Sequence, residues 1–246
     1  MPIASDFESV FTMDWEINFM QCSPNGYLRY TDLCNILQLT AAAHSEKGGF
    51  SFVDMQVYDQ AWVLSRIRIE VAQLPKWKDV IRVTTWINAL EHSKSTRAME
   101  VSINGKKIIG IETFWVVFNT KTRRAEQLMV SHDHCEKYPD RKATALPFSK
   151  IEIKESKSLL FERKVVLSDL DIVNHVNNVK YLEWCLDIAD DPRILSNQIA
   201  SFEMNFLREL SLGDVVEVHE QIDEKSTVFT ISKSGKSVFA LLVNWK

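Results

Sequence analysis

A polar segment at residues 168–181, SDLDIVNHVNNVKY, carries the side chains best suited to acid–base chemistry. The imidazole of a histidine has an ordinary pKa near ~6.5, so a histidine such as His175 suits proton transfer at neutral pH. Asp171 lies four residues earlier and could orient the imidazole or position a water molecule. The first N–H groups of a following helix, together with its dipole, can hold a developing oxyanion. The segment could therefore combine a proton-transfer group, an orienting carboxylate and an oxyanion site.

A purely structural role is the alternative for the same residues. Asp and Asn are favoured as helix N-caps, so one of them is expected to cap the helix that follows. A histidine at such a place can simply hydrogen-bond to the backbone. The residues alone leave both interpretations open.

The helix predicted after this segment, from about Val176 to Asp190, is apolar over most of its circumference. One apolar stripe holds Val179, Leu182, Leu186 and Ala189, and another holds Tyr181, Trp184, Cys185 and Ile188. Only Lys180, Glu183, Asp187 and Asp190 form a polar strip. Such a helix must be covered by other elements.

The same order of elements is predicted twice along the chain. In the first half, a strand at 11–18 precedes a helix in which apolar residues recur from Tyr30 to Ala41, and strands follow at 62–72, 80–89, 95–103 and 107–118. In the second half, a strand at 161–167 precedes the apolar helix, and strands follow at 199–207, 215–222, 228–232 and 238–245. We therefore predict an α+β fold in which an antiparallel sheet curls around each helix. The charged segment 129–158, with Pro139 and Pro147, is the predicted linker.

Composition excludes several classes of protein. The chain has 246 residues and a net charge of −4, which argues against a general nucleic-acid binder. No apolar run approaches the ~18 residues of a membrane span, and the first residues lack a basic region followed by an apolar run, so neither a membrane span nor a signal or transit peptide is expected. The four cysteines are far apart and are expected to be reduced thiols, so a cytoplasmic location is predicted.

Motifs for other kinds of site are missing from the sequence. There is no GxSxG or GxGxxG, and Gly235-Lys236-Ser237 lacks the earlier glycine of a phosphate-binding loop because position 230 is Thr230. The run His132-Asp133-His134-Cys135 has metal-ligand chemistry, but adjacent linker residues rarely converge on one ion. We expect a solvated patch there, with no metal and no cofactor.

Three segments together resemble the acyl-acyl-carrier-protein (acyl-ACP) thioesterases of plants and bacteria. They are DLDIVNHVNNVKYLEW at 169–184, FWVVFNTKTRR at 114–124 and PKWKDV at 75–80, and the similarity extends from about Phe11 to Leu241. The resemblance implies two tandem hot-dog repeats. Residues 1–130 would form the first repeat with the acyl pocket, 131–158 the linker, and 159–246 the second repeat with the catalytic residues.

The resemblance also implies which residues act. By motif, the family's Asp falls on Asp171, its His on His175 and its Glu on Glu209. The family's Asn usually lies two residues before the His, where this chain has Val173, so Asn174 or Asn177 would have to replace it. The Cys that often follows the Glu is Leu210 here, which excludes a covalent mechanism through that residue.

Strand alternation argues against a position of the Glu209 side chain in the site. It would place Glu209 with Ser201, Glu203 and Asn205 on the polar face of its strand, away from the site. A bulge or the end of the strand near Arg208 could turn it inward. If Glu209 is turned inward in this way, it can activate a water molecule beside His175. We predict that either Glu209 or Asp171 does so.

The expected substrate is an acyl chain on the 4'-phosphopantetheine of acyl carrier protein, which would be cleaved to a free fatty acid. Because that carrier is acidic, Lys121, Arg123 and Arg124 are candidates for binding it, with Lys137, Arg141 and Lys142 as further cations. A solvated charged turn is the alternative. Leu33, Ile36, Leu37, Trp86 and Phe114 are plausible pocket walls, but plain core is favoured for each, because buried apolar residues usually just pack.

Competing functions share this fold class. They are an acyl-coenzyme A thioesterase, a dehydratase or hydratase, and a non-catalytic protein that binds acyl thioesters. The acyl length preference and the oligomeric state, monomer or homodimer, stay open.

Overall fold

The computed structural model describes residues 3–153, 158–189 and 192–246 and shows an α+β protein built on one large sheet. Its helices are α1 Tyr30–Lys47, α2 Phe52–Gln56, α3 Asn178–Ile188 and α4 Pro192–Leu195. Its strands are β1 Val10–Glu16, β2 Gln60–Val71, β3 Val80–Glu91, β4 Lys94–Ile103, β5 Lys106–Asn119, β6 Arg124–Ala125, β7 Ser158–Lys164, β8 Ile199–Phe206, β9 Val215–Ile222, β10 Ser226–Lys233 and β11 Lys236–Trp245.

The order of strands shows two repeats joined edge to edge. The sheet runs β1-β3-β4-β5-β2-β8-β11-β10-β9-β7, with β6 added beside β5. The second half of this order is the first half reversed, and the central strands β2 and β8 pair antiparallel. The two repeats are therefore related by an approximate two-fold axis. The predicted repetition of one helix and its sheet is confirmed.

The two long helices share one apolar core. Leu33 and Ile36 of α1 and Leu182 and Trp184 of α3 belong to the same buried cluster, which also includes residues from both halves of the sheet. Burial of each such side chain stabilises the fold by roughly 1.5–3 kcal/mol. Among the described residues, no helix is long and apolar enough to cross a membrane.

Two predicted boundaries differ from the structure for local reasons. The strand predicted at 161–167 ends at Lys164, because Leu167–Asp169 forms a 3-10 turn. The helix predicted from Val176 begins at Asn178, and Asp190, its predicted last residue, lies outside the described residues.

The segment between the repeats is held against the sheet rather than solvated along its length. The Glu70 carboxylate accepts hydrogen bonds from the N–H groups of Ala145 and Leu146, at 2.7 and 3.2 Å. The Glu203 carboxylate accepts from the N–H and hydroxyl of Ser149, at 2.7 and 2.9 Å. The polar face of β8 is thus buried under this segment. The repeat bounds 1–130 and 159–246 stay a prediction.

A buried ion pair fastens the two repeats at their junction. Arg68 on β2 lies opposite Glu203 on β8, and its guanidinium donates to the carboxylate at 2.5 Å. Both side chains are more than nine-tenths buried. Removal of one partner from such a buried pair typically costs about 3–5 kcal/mol.

Candidate active site

The segment before α3 folds into a tight hairpin that presents His175 beside the helix start. The Asp171 N–H donates to the His175 carbonyl at 2.9 Å, and the Asn174 N–H donates to the Asp171 carbonyl at 3.0 Å. Asn174 has a φ of 62°, a conformation that Asn tolerates better than most residues. Its use in the structure is therefore to make the turn.

Two of the predicted site residues stabilise the local backbone. The Asp171 carboxylate accepts from the Val173 N–H at 3.0 Å, as in an Asx turn. The Asn177 side chain accepts from the Val179 N–H at 2.9 Å and caps α3. Within the described residues, Asp171 makes no hydrogen bond to the His175 imidazole. The structural role considered for the acidic and amide residues accounts for both side chains, and the orienting role predicted for Asp171 is not seen.

Glu209 reaches the site because the regular strand ends before it. β8 stops at Phe206, and the next two N–H groups, of Leu207 and Arg208, both donate to the carbonyl of Val238, at 2.9 and 3.1 Å. Two N–H groups on one carbonyl interrupt the alternation of side chains, as a bulge does. Glu209 consequently faces the hairpin, with its Oε2 atom 3.6 Å from His175 Nε2.

A cavity of about 920 Å³ lies against His175 and Glu209. Its walls come from both repeats: α2, β2 and β5 contribute from the first, and the hairpin, α3 and the end of β8 contribute from the second. The apolar and aromatic lining residues include Phe52, Trp62, Leu64, Phe118, Tyr181 and Phe206. Burial raises the pKa of the Tyr181 phenol still further above neutral pH.

The walls predicted from the sequence lie elsewhere. Leu33, Ile36 and Leu37 of α1 are in the main core, and Trp86 belongs to a separate small cluster. Phe114 stacks on Phe148 at a ring distance of 5.7 Å. None of these five residues lines this cavity, which the first repeat borders through α2 and the ends of β2 and β5. The core alternative holds for the four buried residues.

The backbone N–H groups around the start of α3 differ in whether they have a protein acceptor. The Val176 and Asn177 N–H groups already donate to the carbonyls of Leu210 and Asp169, both at 2.9 Å. In the described part of the chain, the N–H groups of His175 and Asn178 donate to no protein acceptor. Asn178 also lines the cavity and was missed by the motif comparison. Its position directly after the capping Asn177 is the signal that could have identified it.

The first repeat has the same hairpin without the same chemistry. The Ser23 N–H donates to the Tyr27 carbonyl at 2.8 Å, as Asp171 does to His175. The Leu28 N–H donates to Pro75 as Val176 does to Leu210, so Leu74 occupies the place of Glu209. Ser, Tyr and Leu therefore stand where the second repeat has Asp, His and Glu. Of the two hairpins, the second alone carries an imidazole, and it alone faces a glutamate.

The three predicted carrier-binding cations have different surroundings. Arg123 donates through its NH2 group to Glu209 Oε2 and so lies at the site. Lys121 pairs with Asp59 at 2.9 Å. Arg124 is exposed on β6.

Residues of the run 132–135 make structural contacts. His134 Nε2 lies 2.9 Å from the carbonyl oxygen of Gly48, which fits an N–H donor, and Cys135 is buried. Its expected solvated character is therefore wrong for Cys135. In the described ranges, no group of three or more His, Cys, Asp or Glu residues is placed to hold a metal ion.

Comparison with known proteins decides the family. The model of the acyl-ACP thioesterase N-terminal domain matches residues 8–138, and that of the C-terminal domain matches residues 152–246. The chain belongs to the acyl-ACP thioesterase family. Among solved structures, an acyl-ACP thioesterase from Bacteroides thetaiotaomicron is 26% identical, with a TM-score of 0.88 over 97% of this chain and 98% of that chain. The two-repeat hot-dog fold predicted from the sequence is confirmed.

The plant members of the family that match this chain are longer proteins. The chloroplastic palmitoyl-acyl carrier protein thioesterase of Gossypium hirsutum is 24% identical over 232 residues, which cover 89% of this chain and 56% of that protein. The chloroplastic oleoyl-acyl carrier protein thioesterase of Coriandrum sativum is 27% identical over 224 residues, with 81% and 59% covered. The chain thus spans less than two thirds of these curated relatives. Its cytoplasmic location stays a prediction.

Proposed function

We propose that this chain hydrolyses acyl-ACP thioesters to free fatty acid and the carrier's free thiol. The observation that carries the proposal is the approach of His175 and Glu209 to 3.6 Å beside a cavity of about 920 Å³ with apolar walls. A cavity of this kind suits an acyl chain, and an imidazole beside a carboxylate suits proton transfer. The similarity to proteins named as acyl-ACP thioesterases supports the same activity.

The proposed reaction is direct attack by water. Glu209 removes a proton from the water molecule as its oxygen bonds to the thioester carbonyl carbon. The oxyanion that forms is held by the free N–H groups of His175 and Asn178. The carbon–sulfur bond then breaks, and the thiolate, whose conjugate acid has a pKa near ~8.5, takes up the proton through Glu209 and His175.

The remaining predicted residues take supporting roles in this mechanism. Asp171 holds the hairpin through the Val173 N–H, and Asn177 fixes the start of α3. Since the side chain of Asn177 is engaged in capping, it is poorly placed to replace the family's Asn. Asn178, which lines the cavity, is the better candidate for a polar contact with the thioester.

The carrier protein is proposed to dock near β6, where the cavity lies between the repeats. Arg124 is exposed there, and an acidic partner would be attracted to it. Arg124→Glu is expected to raise KM for acyl-ACP several-fold and to leave KM for acyl-coenzyme A nearly unchanged. Equal effects on both substrates would exclude this docking surface.

A substrate panel tests the function. Thiol release is measured from acyl-ACP, acyl-coenzyme A and 3-hydroxyacyl thioesters of graded chain length, with mass spectrometry of the products. We expect free fatty acid with the highest kcat/KM on acyl-ACP. A preference for acyl-coenzyme A, an enoyl product without free thiol, or binding without turnover would each support one of the competing functions instead.

A further inference from the structure

Arg123 reaches from the first repeat into the candidate site of the second. Its NH2 group donates to Glu209 Oε2, the same oxygen that lies 3.6 Å from His175 Nε2. Its guanidinium also lies over the ring of Phe118, 5.1 Å from the centroid. One carboxylate oxygen is therefore shared by a guanidinium and an imidazole. Within the described residues, Oε1 of Glu209 makes no hydrogen bond or ion pair.

The turn that carries Arg123 is built rigidly by its neighbours. The Asn119 side-chain oxygen accepts from the N–H groups of Lys121 and Thr122, at 2.9 and 2.8 Å. The Asn119 carbonyl accepts from the Arg123 N–H at 2.9 Å. Thr120 donates from its N–H and its hydroxyl to the Asp59 carbonyl, at 2.7 and 2.9 Å. These bonds fix the turn relative to β2 and β5.

Arg123 itself has an uncommon backbone conformation. Its φ is 59°, in the left-handed region that costs a non-glycine residue of order 1 kcal/mol or more. Glycine would relieve this cost but would remove the guanidinium. The backbone of the turn alone would favour glycine here. The contacts of the guanidinium are therefore a reason for arginine at this position.

We propose that Arg123 is a positioning residue for Glu209 rather than a cation for carrier binding. It holds Oε2 so that Oε1 is presented to the attacking water, and it helps keep the carboxylate beside His175. Charge-assisted bonds of this kind are short and directional, which suits the placement of a general base. The inference rests on the proposed function, because it assumes that Glu209 activates water.

The first test separates positioning from docking. Arg123→Gln is compared with wild type on acyl-ACP and on acyl-coenzyme A, with Arg82→Gln as the matched control. Arg82 forms an exposed pair with Asp14 at 2.8 Å, away from the cavity. We expect Arg123→Gln to lower kcat about 10- to 100-fold on both substrates with little change in KM, because a misplaced base slows chemistry. A loss confined to KM for acyl-ACP would overturn the proposal.

The second test asks whether Arg123 acts through Glu209. In a double-mutant cycle, Arg123→Gln is expected to cost less than about twofold in the Glu209→Gln background, measured as single-turnover rates with enzyme in excess. Independent, multiplicative losses would overturn the proposal. Near-normal activity of Glu209→Gln alone would instead refute the role of Glu209 in the proposed function.

A third readout does not depend on residual activity of the double variant. Arg123→Ala is assayed with added guanidinium ions at concentrations that leave wild-type activity unchanged, and thermal unfolding checks that the variant is folded. We expect partial recovery of kcat, and Arg123→Lys is expected to retain more activity than Arg123→Gln. Absence of any recovery, together with equal losses for the Lys and Gln variants, would overturn the positioning role.

Discussion

At the scale of single residues, the site depends on a few side chains whose surroundings assign different uses to similar chemistry. Asp171 and Glu209 are both carboxylates near His175, yet Asp171 accepts from the Val173 N–H whereas Glu209 approaches the imidazole. Asn174 makes the turn and Asn177 caps the helix. Geometry therefore separates residues that the sequence motif groups together.

His175 is expected to be required for turnover but not for folding. His175→Ala should lower kcat on acyl-ACP about 100-fold or more, because removal of a proton-transfer group typically costs 10²–10⁴-fold. His175 is partly exposed, so the melting temperature should change little. His132→Ala, outside the cavity lining, is the control. Retention of most activity by the folded His175 variant would contradict its assignment.

At the scale of elements, sequence patterns predict much of the fold and only part of the site. Hydrophobic periodicity predicts both long helices and the main strands because those patterns reflect burial of one face. It does not predict that Leu207 and Arg208 share the Val238 carbonyl, since a bulge depends on the neighbouring strand. The inward orientation of Glu209 therefore depends on contacts with the neighbouring strand, which the local sequence pattern does not encode.

The cavity walls show the same limit at this scale. Apolar residues follow similar spacing rules on α1 and on β2, but β2 borders the cavity whereas the apolar residues of α1 lie in the main core. Charge alone likewise groups Arg123 with Lys121 and Arg124 as candidate carrier-binding cations. Their partners, Glu209 for Arg123 and Asp59 for Lys121, depend on contacts that no local pattern encodes.

Leu64 on β2 is expected to help set the preferred acyl length, because it is a buried part of the cavity wall. Leu64→Trp should shift the highest kcat/KM toward shorter chains, and Leu64→Ala toward longer ones. Activities on acyl-ACP substrates of graded length measure this, with Leu146→Trp, at an exposed position, as control. An unchanged length profile in both folded variants would show that the acyl chain does not reach Leu64.

At the scale of the whole molecule, both repeats contribute to one site. The central pair β2 and β8 joins them, and the first repeat contributes cavity walls and Arg123. The first repeat has the same backbone hydrogen bonds, with Ser23 and Tyr27 on its hairpin and Leu74 facing it in place of the acidic and imidazole groups. The molecule thus retains the symmetric frame while one half holds the acid–base residues.

Stability of the whole molecule should fall in mild acid because of a buried histidine. His44 is fully buried, with Nε2 3.0 Å from the Glu8 carbonyl and Nδ1 2.8 Å from a nitrogen of Arg97. Burial, reinforced by the Arg97 charge, lowers its pKa to about 3. The unfolded chain binds a proton near pH ~6.5 that the folded chain does not bind until far lower pH.

The stability that neutral His44 contributes is therefore fully present above the pKa that His44 has in the unfolded chain. It is lost progressively as the pH falls below that pKa. The free energy of unfolding should decrease between pH 7 and 5, with a slope from this group that approaches ~1.4 kcal/mol per pH unit. Urea unfolding of wild type and His44→Gln at several pH values measures the difference in slope. Equal slopes in the two proteins would contradict the neutral, buried state of His44.

The proposed mechanism requires Glu209 to activate water beside His175. The decisive measurement is the rate of thiol release from acyl-ACP, compared between Glu209→Gln and wild type. Glutamine keeps the size of the side chain but cannot accept the proton. We expect kcat to fall about 10²-fold or more, with a folded variant and a similar KM. A kcat within threefold of wild type would contradict it.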